Sequence, residues 1–171
     1  MDRPGPDEYA PFYAGYVALV PEADVVAALA AQLEEALAIL GPAPEAAGGV
    51  RHPPYTWTVK EVVGHLTDAE RVFGYRALRF ARGDATPLPG FDEGAYARAG
   101  EFDRVPLADL VAEFAAVRRA HLALFRHLPA AAWGRGGAAN GSPVTVRALA
   151  YIMAGHARHH TAILARRLGA A

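Results

Sequence analysis

The sequence predicts an all-α protein built as a four-helix bundle. Three observations predict this fold. Four segments of about five to six turns carry apolar residues at helical spacing. Stretches rich in proline and glycine separate these segments. No segment of useful length alternates between polar and apolar residues as a strand would.

The first two predicted helices have clear start and stop signals. The first runs from about Glu22 to Leu40 and stops at Gly41-Pro42. The second opens at Thr58, with Glu61 three residues later, which is the spacing of a capping box. It reaches about Arg82, before a Gly-Asp pair. Its predicted buried face consists of Val62, Leu66, Ala69, Phe73, Ala77 and Phe80.

A long connection, Gly83 to Val105, follows the second helix and carries several prolines and glycines. It contains one predicted helical turn near Asp92–Arg98. A connection of this length is unusual in a compact domain and is often functional. It allows helices two and three to run parallel, which would give up-down-down-up order, and we expect it to wall a pocket.

The third and fourth predicted helices complete the bundle. The third runs from about Pro106, a favourable first-turn proline, to Leu128. A glycine-rich loop, Gly134 to Ser142, then leads to Thr145. Thr145 is the predicted N-cap of the fourth helix, which continues to about Leu168.

The composition of the chain excludes several classes of protein and of metal site. The chain has 171 residues, 53% of them hydrophobic, no cysteine and a formal charge of −1. This length fits one domain, residues 1–171 with a core at about 22–168. The absence of cysteine excludes disulfides and thiolate metal sites, and the near-neutral charge gives no reason to expect a nucleic-acid partner. No apolar run of about 20 residues and no signal peptide is evident, so we expect no membrane span and a cytoplasmic location.

Two of the seven histidines form a pair that suits a metal ion. His156 and His160 lie four residues apart and therefore share one face of the fourth helix. The same face carries apolar residues and points into the bundle: Leu149, Ile152, Met153, Ile163 and Leu164. Buried imidazoles need a partner for at least one ring nitrogen. The competing interpretation is an exposed, arginine-rich histidine cluster.

His65 strengthens the metal interpretation because it lies on the predicted buried face of the second helix. Three neutral imidazole nitrogens with an open position are typical of a catalytic zinc-type site. The alternative is a core histidine satisfied by its neighbours. Ala157 stands where a zincin would have its general-base glutamate, and the fourth helix has no glutamate for a di-iron site, so both classes are disfavoured.

Four further residues are candidates for roles around the ligands or against the substrate. His121, on the apolar face of the third helix, competes as a ligand. His159 is expected to line the pocket or pack at the helix edge. Asp68 could accept the second N–H of an imidazole, or it could pair with Arg71. Arg118 could bind an anionic group of the substrate or form a surface salt bridge.

The segment at 57–70 (WTVKEVVGHLTDAE) resembles the first motif of the DinB-like superfamily. It resembles most closely the YfiT-type branch of metal-dependent hydrolases and bacillithiol S-transferases. The strings at 88–92 (LPGFD), 133–135 (WGR) and 155–160 (GHARHH) are similar to later parts of that branch and occur in the same order. The resemblance covers about Glu22 to Leu168.

This resemblance implies an up-down-down-up four-helix bundle, often a homodimer, that binds a divalent metal, nickel or zinc in many members. Its ligands correspond to His65, His156 and His160. Characterised members use the metal to activate a low-molecular-weight thiol. We therefore expect a thiol transferase that acts on an electrophilic small molecule. The alternatives are a hydrolase that activates water and a non-catalytic metal-binding stress-response protein, whose site should be closed by a fourth ligand such as His121 or His159.

Overall fold

Four long helices pack together as a bundle in the computed structural model, which describes residues 2–169. The helices in chain order are α1 Ala14–Ala18, α2 Val25–Leu40, α3 Glu45–Gly48, α4 Val59–Ala81, α5 Glu93–Ala99, α6 Leu107–Arg126 and α7 Val146–Leu168. Short 3-10 turns lie at Pro6–Glu8, Pro11–Tyr13, Phe102–Arg104 and Ala130–Ala132. The predicted all-α bundle is confirmed.

The order of the long helices is up-down-down-up. Helix α4 packs against both α6 and α7, and α2 packs against the same two helices. The first two long helices, α2 and α4, therefore lie at opposite corners of the bundle. The connection between α4 and α6 carries α5 near its middle, as the sequence predicts.

The two threonines predicted to cap the second and fourth long helices form capping hydrogen bonds. Thr58 Oγ1 accepts a hydrogen bond from the Glu61 amide at 3.0 Å, and the Glu61 carboxylate accepts one from the Thr58 amide at 2.7 Å. Thr145 Oγ1 accepts from the Ala148 amide at 3.2 Å. The first long helix begins at Val25, not at Glu22, because the Asp24 side chain caps it.

A β-hairpin precedes α7, where the sequence predicted only a loop. Strand β1 (Gly136–Ala139) pairs antiparallel with β2 (Ser142–Thr145). The turn residues Asn140 and Gly141 have φ values of 52° and 74°, which is the left-handed geometry that an Asn-Gly hairpin turn requires. The prediction of a loop was wrong because β1 has the sequence Gly-Gly-Ala-Ala, in which polar and apolar residues do not alternate as they do in most strands.

The hairpin holds the long connection in place. The Leu88 amide donates to the Ala138 carbonyl at 2.9 Å, and the Leu88 carbonyl accepts from the Asn140 amide at 3.0 Å. Backbone pairing thus fixes the stretch that leads into α5. This stretch forms one wall of the site described below.

The segment before α2 packs against α7 through α1. Gly155 makes this close approach possible, because a Cβ atom there would lie 1.9 Å from the Tyr16 carbonyl oxygen of α1. Helix α1 therefore lies directly against the turn of α7 that carries His156.

The buried face of α4 follows the predicted periodicity, and the buried face of α6 includes a charged residue. All six apolar residues predicted on α4 are buried. On α6 the buried face passes through Arg118, and Val117 is only partly buried. None of the helices described between residues 2 and 169 is long and apolar enough to cross a membrane.

Candidate metal centre

Three histidines converge between α4 and α7. His65 comes from α4, and His156 and His160 come from adjacent turns of α7. One ring nitrogen from each lies within 4.8 Å of the other two. His65 Nε2 and His156 Nε2 are 2.9 Å apart. Two nitrogens bound tetrahedrally to one zinc ion would be roughly 3.3 Å apart, so this arrangement is close to a ligand geometry.

Burial keeps these imidazoles uncharged. Burial lowers the pKa of His65 to about 4. It also lowers the pKa of His160 to about 3, with a further contribution from His65. The pKa of His156 falls well below its usual value, first through burial and then through the other histidines. A neutral imidazole has a free lone pair, which is the form that binds a metal ion.

A cavity of about 120 Å³ opens beside the three rings. Its walls are mostly aromatic, formed by Phe12, Tyr13, Tyr16, Trp57, Ala69, Phe73, Phe91 and Glu93 together with the histidines. The Trp57 ring lies 4.9 Å from the His65 ring, and the Tyr16 ring lies 5.4 Å from the His156 ring. The site is thus a partly enclosed, largely aromatic pocket with nitrogen donors and one carboxylate in its lining.

Several residues that line the cavity were not predicted from the sequence. Glu93 comes from α5, and Phe91 comes from the stretch before it, so the long connection does wall the pocket as expected. Tyr16 comes from α1, in an N-terminal segment with no periodic signal. Burial and the nearby Glu93 charge raise the pKa of Tyr16. An aromatic cluster next to a proline-rich turn was the only available indication.

Two further candidate residues do not join the donor group. His159 is exposed, and its ring lies 5.0 Å from that of His160 and 5.7 Å from that of Tyr16. Asp68 forms an ion pair with Arg71 at 3.8 Å. Burial raises the pKa of Asp68, and within the described chain its carboxylate makes no hydrogen bond to His65.

Arg118 and His121 lie away from the cavity and share a buried carboxylate. The Arg118 guanidinium binds Glu70 through Nε at 3.0 Å and Nη2 at 2.5 Å. His121 Nδ1 lies 3.2 Å from the same carboxylate. Arg118 is fully buried, so the alternative of a surface salt bridge was wrong. Neither residue lines the histidine pocket.

The neutral histidines predict an acid-sensitive metal-free protein. Their ordinary pKa is 6.5, and in the folded state His65 titrates at about 4 and His160 at about 3. Between pH 6.5 and these lower pKa values the unfolded chain binds more protons than the folded chain. The free energy of unfolding therefore falls as the pH falls through this range. The expected slope is about 1.4 kcal/mol per pH unit for each histidine.

Denaturant unfolding in chelator at pH 7.5, 6 and 5 measures this slope. His160→Ala should flatten it, whereas the exposed His127→Ala should leave it unchanged. Equal slopes in wild type and His160→Ala would contradict the burial argument.

Comparisons with known proteins give a family and a fold. A family model described as the DinB superfamily matches residues 28–164. None of the curated proteins matches the sequence. One similar solved structure is YfiT from Bacillus subtilis, described as a probable metal-dependent hydrolase with an unusual four-helix bundle topology. The TM-score is 0.70 at 19% identity, covering 98% of this chain and 94% of that one, so the likeness shows a shared fold.

Proposed function

This chain belongs to the DinB superfamily, and on that basis we propose that it is a metal-dependent enzyme that activates a low-molecular-weight thiol for transfer to an electrophilic small molecule. His65, His156 and His160 hold the divalent ion. The observation that carries the proposal is the convergence of their ring nitrogens, all within 4.8 Å of one another, beside an open cavity.

The donor set suits zinc or nickel. Imidazole nitrogen is a good ligand for both ions, and three neutral ligands leave the full double charge on the metal. Among residues 2–169 no fourth donor joins the group. Three protein ligands with an open position favour a catalytic centre over a closed storage site.

The chemistry follows from the charge of the ion and the shape of the pocket. A divalent ion bound there supplies a Lewis acid that lowers the pKa of a thiol or of water. The aromatic walls limit access by bulk water, and the Trp57 ring packs against His65 and restricts its orientation. Glu93 lines the same cavity and offers a carboxylate to accept the proton that the nucleophile loses.

Hydrolysis, with water as the nucleophile, is the second candidate. The fold likeness to YfiT, itself described as a probable metal-dependent hydrolase, favours it. A metal-binding protein without catalysis is the third candidate.

We also propose a homodimer, which analytical ultracentrifugation would test.

Thiol consumption is the experiment that separates these functions. Zinc- or nickel-loaded protein is mixed with bacillithiol or mycothiol and chlorodinitrobenzene. We expect turnover that falls at least about a hundredfold in His156→Ala, since even an outer-shell partner of a metal can be worth that much. The exposed His127→Ala serves as the control. Metal-dependent ester cleavage without thiol would favour the hydrolase, and no turnover of either kind in loaded protein would favour metal binding alone.

A further inference from the structure

A second cavity adjoins the histidine pocket. It has a volume of about 230 Å³. Phe12, Tyr13, Phe91 and Glu93 line both cavities. A ligand with its reacting group at the histidines can therefore extend past this shared wall into the second space.

Arg76 lines the second cavity and lies on the same face of α4 as His65. It follows His65 by eleven residues, which is close to three helical turns and about 16 Å along the helix axis. Arg76 is only 3% exposed. The cleft therefore has nitrogen donors for a metal at one end and a guanidinium at the other.

Arg76 makes one side-chain hydrogen bond, the fewest among the buried arginines of residues 2–169. Its Nη2 donates to the Pro89 carbonyl at 2.8 Å, and its guanidinium lies 6.0 Å from the centre of the Phe91 ring. No carboxylate of residues 2–169 forms an ion pair with it. Five donors in a fixed fork are matched here by one acceptor.

The other two buried arginines of the described chain make three side-chain hydrogen bonds each. Glu70 binds Arg118 through two nitrogens. Arg167 donates to the Val50 and Trp57 carbonyls and to His52 Nδ1. Within residues 2–169 Arg167 also has no carboxylate partner, and its Nη1 is buried without a hydrogen bond. Arg76 differs from it because Arg76 lines the second cavity and its unpaired nitrogens are not fully buried.

The surroundings of Arg76 favour an anionic ligand. A buried cation without a counter-charge is costly, and a carboxylate from outside would offset that cost. Asn140 and Ser142 of the hairpin also line the cavity and offer polar side chains. The other charged residue there is Glu93, which also borders the histidine cavity, so an anion is favoured at the Arg76 end.

We propose that the second cavity binds a carboxylate group of the molecule whose reacting group lies at the three histidines. The fork of Arg76 matches a carboxylate in a bidentate manner, and the aromatic rings shared by the two cavities, Phe12, Tyr13 and Phe91, contact the chain between the two groups. The proposal deepens the proposed function and rests on it only for the role of the histidine end.

Titration calorimetry of hexanoate and hexanamide against metal-free protein tests the subsite alone. We expect wild type to bind the acid about tenfold more tightly than the amide, the scale of a charge-assisted hydrogen bond. The preference should vanish in Arg76→Met, shrink in Arg76→Lys and persist in Arg82→Met, which removes an exposed arginine of the same segment. Equal affinities for acid and amide in wild type would overturn the proposal even if an Arg76 variant fails to fold.

His160→Ala separates this proposal from the metal function. Acid preference that persists in His160→Ala supports the subsite whether or not the protein binds metal. In zinc-loaded wild type, 8-mercaptooctanoate should bind more tightly than octanoate, and this gain should disappear in His160→Ala. A gain that survives His160→Ala would overturn the claim that one molecule occupies both cavities.

Discussion

Replacing Glu70 by methionine lowers the free energy of unfolding by about 3–5 kcal/mol, because it leaves a fully buried guanidinium without its counter-charge. The carboxylate receives two hydrogen bonds from Arg118 and lies 3.2 Å from His121 Nδ1. Arg118 also donates to the Leu29 carbonyl at 3.1 Å. This cluster therefore joins α4, α6 and α2. Denaturant unfolding measures the loss.

The charge state of Glu70 supports this prediction. Burial alone would raise the pKa of its carboxyl, but Arg118 and His121 outweigh burial and hold the pKa below its ordinary value. The matched control is the double variant Glu70→Met/Arg118→Met. Replacing both partners with apolar side chains removes the unpaired charge, so the double variant should be more stable than the Glu70 single variant. A single-variant loss below about 1 kcal/mol would contradict the account of this cluster.

Gly155→Ala has the second-largest expected effect on stability. The new Cβ would lie 1.9 Å from the Tyr16 carbonyl oxygen and 2.4 Å from the carbonyl carbon. These are backbone atoms, so α1 must move away from α7. We expect a net loss of about 1–3 kcal/mol, the usual cost of overpacking. Thermal or denaturant unfolding of the metal-free protein measures it.

Gly15→Ala is the control, because no atom beyond its chain neighbours and its own helix backbone lies within 4 Å of the added methyl group. Alanine is the better helix former, so this variant should be neutral or stabilised by up to about 1 kcal/mol. Moving α1 in Gly155→Ala also withdraws Tyr16 from the His156 ring, now 5.4 Å away. If Gly155→Ala were as stable as Gly15→Ala, α1 would not pack as closely as the structure indicates.

The long helices were predictable because their signals are local. Periodic burial on α4 and the capping groups Thr58 and Thr145 lie within a few residues of the features they specify. The convergence of the histidines was predictable for a related reason. His156 and His160 share a face through helix geometry alone, and His65 shares the buried face of α4.

The other features depend on contacts between distant segments. The hairpin strands are too short and too rich in glycine and alanine to show alternation, although Asn140-Gly141 was a usable turn signal. Arg118 was misplaced because a charged residue on an apolar face implies burial only when its partner is known. That partner, Glu70, lies 48 residues away. The position of Tyr16 beside the histidines likewise depends on the close approach of α1 to Gly155. No periodic pattern in the sequence indicates that approach.

The metal content of the untagged protein tests the central claim most directly. Protein purified without chelator is compared by mass spectrometry with His65→Ala and His160→Ala, and each is then reconstituted with zinc, nickel and manganese. We expect about one divalent ion per wild-type chain, as three protein ligands would hold, and loss of that ion in both variants. Wild type that stays metal-free after reconstitution, or variants that keep the ion, would contradict the three-histidine centre.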